Sequence, residues 1–113
     1  MLSSADRRRR QRIRVHLPVR LFRPPAGPYV PSTTENLSSE GLYCIVKEPF
    51  RRGERLQCEI AIPESLGAAE GPTRLQCHVI VKRVESLRHV RALGLGCHIE
   101  NYSLAPGPLQ PEL

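Results

Sequence analysis

Two separated stretches of this chain carry side chains suited to gripping an anion. One is an arginine run, Arg7-Arg8-Arg9-Arg10-Gln11-Arg12-Ile13-Arg14, and the other is a polar turn, Asn36-Leu37-Ser38-Ser39-Glu40-Gly41. A guanidinium is permanently charged, donates in a planar fork that matches phosphate oxygens two at a time, and stacks on aromatic planes. Short polar side chains beside a glycine make tight turns in which a ligand can approach the backbone. The chemistry suggested is the recognition of a small polyanion.

Charge supports that reading. The 113 residues carry a formal charge of +6, and the six arginines between positions 7 and 14 equal the whole excess, so the remainder of the chain is neutral. Proteins that bind long nucleic acids or membrane surfaces spread positive charge along a face or groove, whereas here it sits in one arm. Aromatic residues make up 4% of the chain, with no Trp, which leaves few platforms for stacking single-stranded bases. A nucleic-acid partner is therefore disfavoured. No apolar run reaches the length of a membrane span, and Met1 to Asp6 is too polar for a signal-peptide core, so a cytoplasmic location is expected.

The elements that must position these groups are strands. Strict alternation places Val15, Leu17, Val19 and Leu21 on one face, then Leu42, Cys44 and Val46, then Leu56, Cys58, Ile60 and Ile62. It continues with Leu75, Cys77, Val79 and Val81, and with Leu95, Cys97 and Ile99. Tyr29 to Thr34 supplies a sixth, shorter strand, and turn-rich pieces at Pro24 to Pro28, Pro49 to Gly53 and Pro63 to Pro72 separate the others. Glu64 to Ala69 is the one candidate for a helical turn. The expected fold is all-β, a small six-stranded antiparallel barrel, because closure removes exposed sheet edges. Its expected organisation is a flexible basic arm over 1–12, the barrel over 13–104, and a disordered proline-rich tail over 105–113 with little or no C-terminal helix.

The cysteines, Cys44, Cys58, Cys77 and Cys97, show no C-x-x-C spacing and all fall in phase with the inward face of their strands. That is the behaviour of reduced core residues. His16, His78 and His98 alternate with inward positions and point outward, and His89 sits in a turn, so no metal centre is expected. Ser38, Ser39, the histidines and the scattered acids form no nucleophile-base spacing, and Gly94-x-Gly96 lies within a strand and opens no helix. Those glycines fit a bend or a close strand approach. No enzyme and no cofactor are expected.

The order of these features resembles the PilZ domain family, the bacterial receptor module for cyclic di-GMP, in its split-barrel form. Its signature is R-x-x-x-R near the start and [D/N]-x-S-x-x-G after the first hairpin. The second half is matched by Asn36-x-Ser38-x-x-Gly41. The arginine run offers both Arg8 to Arg12 and Arg10 to Arg14 for the first half. The following segment, Ile13 to Val19 with Leu17-Pro18-Val19, is similar to the strand that family members place just after the second arginine, which selects Arg8 and Arg12. Gly41-Leu42, the turn Pro49 to Glu54 and the segment Leu93 to Ile99 resemble further landmarks, so the likeness runs from about Arg7 to Tyr102.

The resemblance implies that Arg8 and Arg12 bind phosphate and the guanine edge or plane, that Asn36 and Ser38 hydrogen-bond the base, and that Gly41 permits their turn. Arg7, just before the motif, is compatible with a stacked pair of ligands. It also implies ordering of the arm on binding, with the signal passed to a separate protein partner. Two other readings of the same residues are a ligand-silent adaptor working by protein contact and a small basic nucleic-acid-binding barrel. Asn36 stands where Asp is commoner, and Glu40 adds a negative charge inside the turn.

Overall fold

The computed structural model describes residues 14–24, 27–66 and 70–109. The arm expected over 1–12, with Arg7, Arg8 and Arg12, and the last part of the tail, 110–113, lie outside the described residues.

Six strands form: β1 (Pro18–Phe22), β2 (Tyr29–Leu37), β3 (Gly41–Val46), β4 (Arg55–Ile62), β5 (Thr73–Leu87) and β6 (Ala92–Pro106). They close into a barrel in the order β1-β2-β3-β6-β5-β4, and every neighbouring pair is antiparallel. The barrel expected from alternation is the observed fold, and the alternation explains it. Leu21 pairs with Cys58, Cys58 with Cys77, and Cys44 with Leu95, so inward residues meet inward residues across each ladder. Val19, Leu21, Leu42, Cys44, Val46, Leu56, Cys58, Ile60, Cys77, Val79, Val81, Leu95, Cys97 and Ile99 are all buried in one core. Each aliphatic side chain of that set contributes about 1.5–3 kcal/mol by leaving water. The cysteines are free thiols in that core. Burial pushes Cys44 up to about 11, against a hydrogen bond from Ser32 that lowers it, and burial first, then the nearby Cys44, pushes Cys97 up to about 12.

A small sheet needs bends to close, and three register shifts supply them. One lies in β2 between Thr34 and Asn36, and two lie along β5 and β6, at His78/Val79 and Val81/Arg83. The two longest strands, β5 and β6 at 15 residues each, overhang the six-residue β3 at both ends.

The end of the chain departs from expectation. β6 carries on through Ala105 and Pro106, past the boundary placed after Leu104, with Pro106 opposite Thr73. A proline is tolerated there because the last residue of a strand has no ladder donor to lose. Gly107 N–H then donates to the Pro72 carbonyl at 2.9 Å, and Arg74 Nη1 donates to the carbonyls of Pro106 (3.1 Å) and Pro108 (3.2 Å), so the tail is tied down through this stretch. Glu64–Leu66 forms a single 3-10 turn, and a second, Arg88–Val90, closes the β5–β6 hairpin with Arg91 in the left-handed region at φ 52°. Among the described residues no helix is long and apolar enough to cross a membrane.

Candidate functional site

The turn after β2 is built by its own serine. Ser38 N–H donates to the Gly41 carbonyl at 2.9 Å, closing the turn, and Ser38 Oγ accepts from the N–H groups of Glu40 (3.1 Å) and Gly41 (3.2 Å). Ser38 Oγ also lies 3.5 Å from the Gly41 carbonyl oxygen, a long and weak contact for the hydroxyl to donate to. Glu40 lies exposed, while its carbonyl accepts from Ile99 N–H at 2.8 Å and pins the turn to β6.

Gly41 is required by space rather than by backbone torsion. It is absent from the positive-φ glycines, but a Cβ built on it would sit 2.5 Å from the Cys97 carbonyl oxygen, inside any tolerable contact. Its service to the site is thus indirect, through the close approach of β3 and β6. Asn36 is half-buried and lies just past the β2 bulge, opposite Tyr43 on the outer face of the barrel.

The root of the arm reaches the same place through a residue that periodicity alone does not single out. Thr34 is completely buried. Its Oγ1 accepts from Leu17 N–H at 2.9 Å and donates to the Val15 carbonyl, while its backbone N–H donates to the Leu17 carbonyl at 2.9 Å. A single side chain two residues before Asn36 therefore fixes where residues 15–17 leave the barrel. Between the two lies an apolar recess of about 330 Å³, with Val15 and Leu17 on the arm side and Leu37, Ser38 and Ser39 on the turn side. Both described flanks of the signature thus converge on one end of the barrel.

The outer face beside Asn36 adds three further groups. Tyr43 Oη donates to Glu85 Oε1 at 2.6 Å, the Arg83 guanidinium lies 5.7 Å from the Tyr43 ring centre, and Arg83 Nε is 3.3 Å from Glu85. Burial, then the hydrogen bond to Glu85 and its charge, push Tyr43 up to about 12, so it remains a donor at neutral pH. The alternating glycines make this possible. A Cβ on Gly94 would fall 1.8 Å from Tyr43 Oη, so the ring lies flat across β6 only because Gly94 has no side chain. Gly94 and Gly96, read from the sequence as serving a bend or a close strand approach, leave room on the outer surface of β6 for the Tyr43 and Arg83 side chains.

Among the described residues no cluster of His, Cys, Asp and Glu could hold a metal ion. His16, His78 and His98 are exposed, as the alternation indicates, and so is His89 in its turn.

The model of the PilZ domain family matches residues 6–106. The chain belongs to the PilZ domain family. Its fold is also that of a solved structure, the Bacillus subtilis inhibitor of motility (MotI/DgrA), with a TM-score of 0.67 at 17% identity over 81% of this chain and 42% of that one. This PilZ domain therefore spans less than half of that protein's length. No curated protein matches the chain.

Proposed function

We propose that this PilZ domain is a receptor for cyclic di-GMP, with Arg8 and Arg12 gripping phosphate and guanine from the arm, and Asn36 and Ser38 hydrogen-bonding the base from the turn. Arg7 adds a further guanidinium, and Gly41 keeps the turn seated on β6. The observation that carries this reading is the convergence just described: Thr34 holds the root of the arm beside the turn, at the same barrel end as Ser38. Arg and guanine suit each other because O6 and N7 present two adjacent acceptors to two parallel donors. A dianionic ligand also offsets the mutual repulsion of six arginines within eight positions, so binding draws the arm onto the barrel.

The domain acts as a receptor and not as an enzyme, and its output is an altered surface offered to a protein partner in the cytoplasm. Leu66, Tyr102 and Leu104 are large apolar side chains more than half exposed, and Leu66 and Tyr102 line the recess beside the turn. An arm drawn across this end changes what a partner meets there. A titration with fluorescently labelled cyclic di-GMP, competed by GTP and by an oligonucleotide, tests the reading. Saturable binding displaced by unlabelled cyclic di-GMP alone is the expected result. Displacement by the oligonucleotide would assign the arm to nucleic acid, and no binding at all would leave the domain a protein-contact adaptor.

A further inference from the structure

We infer that Arg83 of β5 is a further phosphate ligand of the cyclic dinucleotide, held in reserve by Glu85; the inference rests on the cyclic di-GMP reading above and extends its site across the outer face of the barrel. The observation is a cross-strand row. Asn36 of β2 pairs with Tyr43 of β3, Tyr43 with Gly96 of β6, and Gly96 with Arg83 of β5. Residues directly opposite on neighbouring strands share a face, so the motif asparagine and Arg83 stand at the two ends of one outward row. The bulge between Val81 and Arg83 is what turns Arg83 outward, because it inserts Lys82 and leaves Val84 to pack on the core.

The row has a gap in its middle. Gly96 contributes no side chain, and the space its Cβ would take lies 3.6 Å from Arg83 Nε and 3.7 Å from Arg83 Nη2. The guanidinium therefore leans back over β6 toward Tyr43 and Asn36, not away along β5. With Tyr43 flat across Gly94, the surface between Asn36 and Arg83 is a shallow shelf floored by a ring and edged by a cation.

Arg83 is bound only weakly where it is. Its contact with Glu85 is 3.3 Å between side chains that are 59% and 44% exposed, and Glu85 is shared with the Tyr43 hydroxyl. Exposed pairs of this kind contribute little and exchange readily. A phosphate arriving on the shelf offers Arg83 a bidentate partner in place of a shared carboxylate. Glu85 then acts as an internal competitor for the ligand, and Tyr43 holds it to one side. Opposite signs follow for the two residues: removing Arg83 weakens binding, and removing the charge of Glu85 strengthens it.

The experiment is a calorimetric titration of the full chain with cyclic di-GMP at two salt concentrations, for the wild type, Arg83→Gln, Glu85→Gln and Arg55→Gln. Arg55 is the control, an exposed arginine of β4 paired with Glu100 at 3.3 Å and absent from the row. Expected are a tenfold or larger loss of affinity and a shallower salt dependence for Arg83→Gln, a severalfold gain for Glu85→Gln, and wild-type affinity for Arg55→Gln. All of these side chains are on the surface, so the variants keep the wild-type melting temperature to within a few degrees. Equal affinities for Arg83→Gln and Arg55→Gln, or a loss in Glu85→Gln, would overturn the assignment of Arg83 while the receptor reading stands. An absence of binding by the wild type would overturn both.

Discussion

At one end of the barrel Arg23 is committed to the fold: it bonds Glu54 Oε2 at 2.5 Å, donates to the Pro49 carbonyl, and lies 4.2 Å over the Phe50 ring. On the outer face beside the turn, Arg83 lies over Gly96, shares one carboxylate with Tyr43 and has the Tyr43 ring 5.7 Å from its guanidinium. The same side chain is a structural rivet in the first place and, in the proposal above, a phosphate ligand in the second. What separates them is the saturation of their donors. Arg23 sets its Nε on a carboxylate, its Nη2 on a carbonyl and its plane 4.2 Å over an aromatic ring, whereas Arg83 has one carboxylate at 3.3 Å and a ring at 5.7 Å. An arginine in a binding site is one whose best partner has not yet arrived.

Three substitutions sharpen this contrast between a region built for holding and a region built for binding. The largest effect is expected at Gly41, whose added side chain meets the Cys97 carbonyl. Gly41→Val should cost about 3 kcal/mol in chemical denaturation, because backbone rather than a flexible side chain must give way. It should weaken ligand binding as well. A variant of wild-type stability would show that β3 and β6 can part there at no cost.

Thr34→Val comes next. It keeps the volume and the β-branch but strips Leu17 N–H and the Val15 carbonyl of their partner, at about 1–2 kcal/mol. Thr34→Ser should restore the stability. Failure of serine to do so would mean that the methyl group, and not the hydroxyl, holds the arm's root.

The smallest effect belongs to the holding end and depends on pH. Burial raises the Glu54 carboxyl, but hydrogen bonds from the Arg23 side chain and the Arg51 N–H, with the charges of both arginines, outweigh it and leave the group below its ordinary value. A carboxylate lowered on folding stabilises the fold above its unfolded pKa of about 4.3, and that contribution is lost as pH falls through the folded value. Glu54→Gln should therefore lower stability at neutral pH by under about 1 kcal/mol, the scale of a partly exposed pair. It should also flatten the decline in melting temperature below about pH 4.3. An identical acid limb in wild type and variant would remove Glu54 from the account.

Much of the barrel was legible because inward residues alternate without interruption, and the cysteines, keeping phase with Leu, Val and Ile, declared themselves core by position. The histidines declared themselves surface by the same count. The turn was legible too, since Ser38 and Gly41 are spaced for the hydrogen bonds they make. Thr34 was not, because an inward threonine reads as a tolerated strand residue until its partners in the segment before β1 are known. Nor was the row from Asn36 to Arg83, which depends on two bulges whose register shifts show only once the partner strands are paired. The ordered stretch beyond Leu104 was masked by its prolines, which argue correctly against a helix but do not forbid the last pairs of a long hairpin.

The central claim is that the arm and the turn are two halves of one receptor site, joined at the root by Thr34. Its most direct test is calorimetry of the full chain with cyclic di-GMP for the wild type, Arg8→Ala and Arg12→Ala, alongside the ligand-free melting of each. The account predicts saturable binding by the wild type, no detectable binding by either variant, and melting temperatures that agree, because both arginines precede the first barrel strand in the sequence. Wild-type affinity in both variants would contradict it.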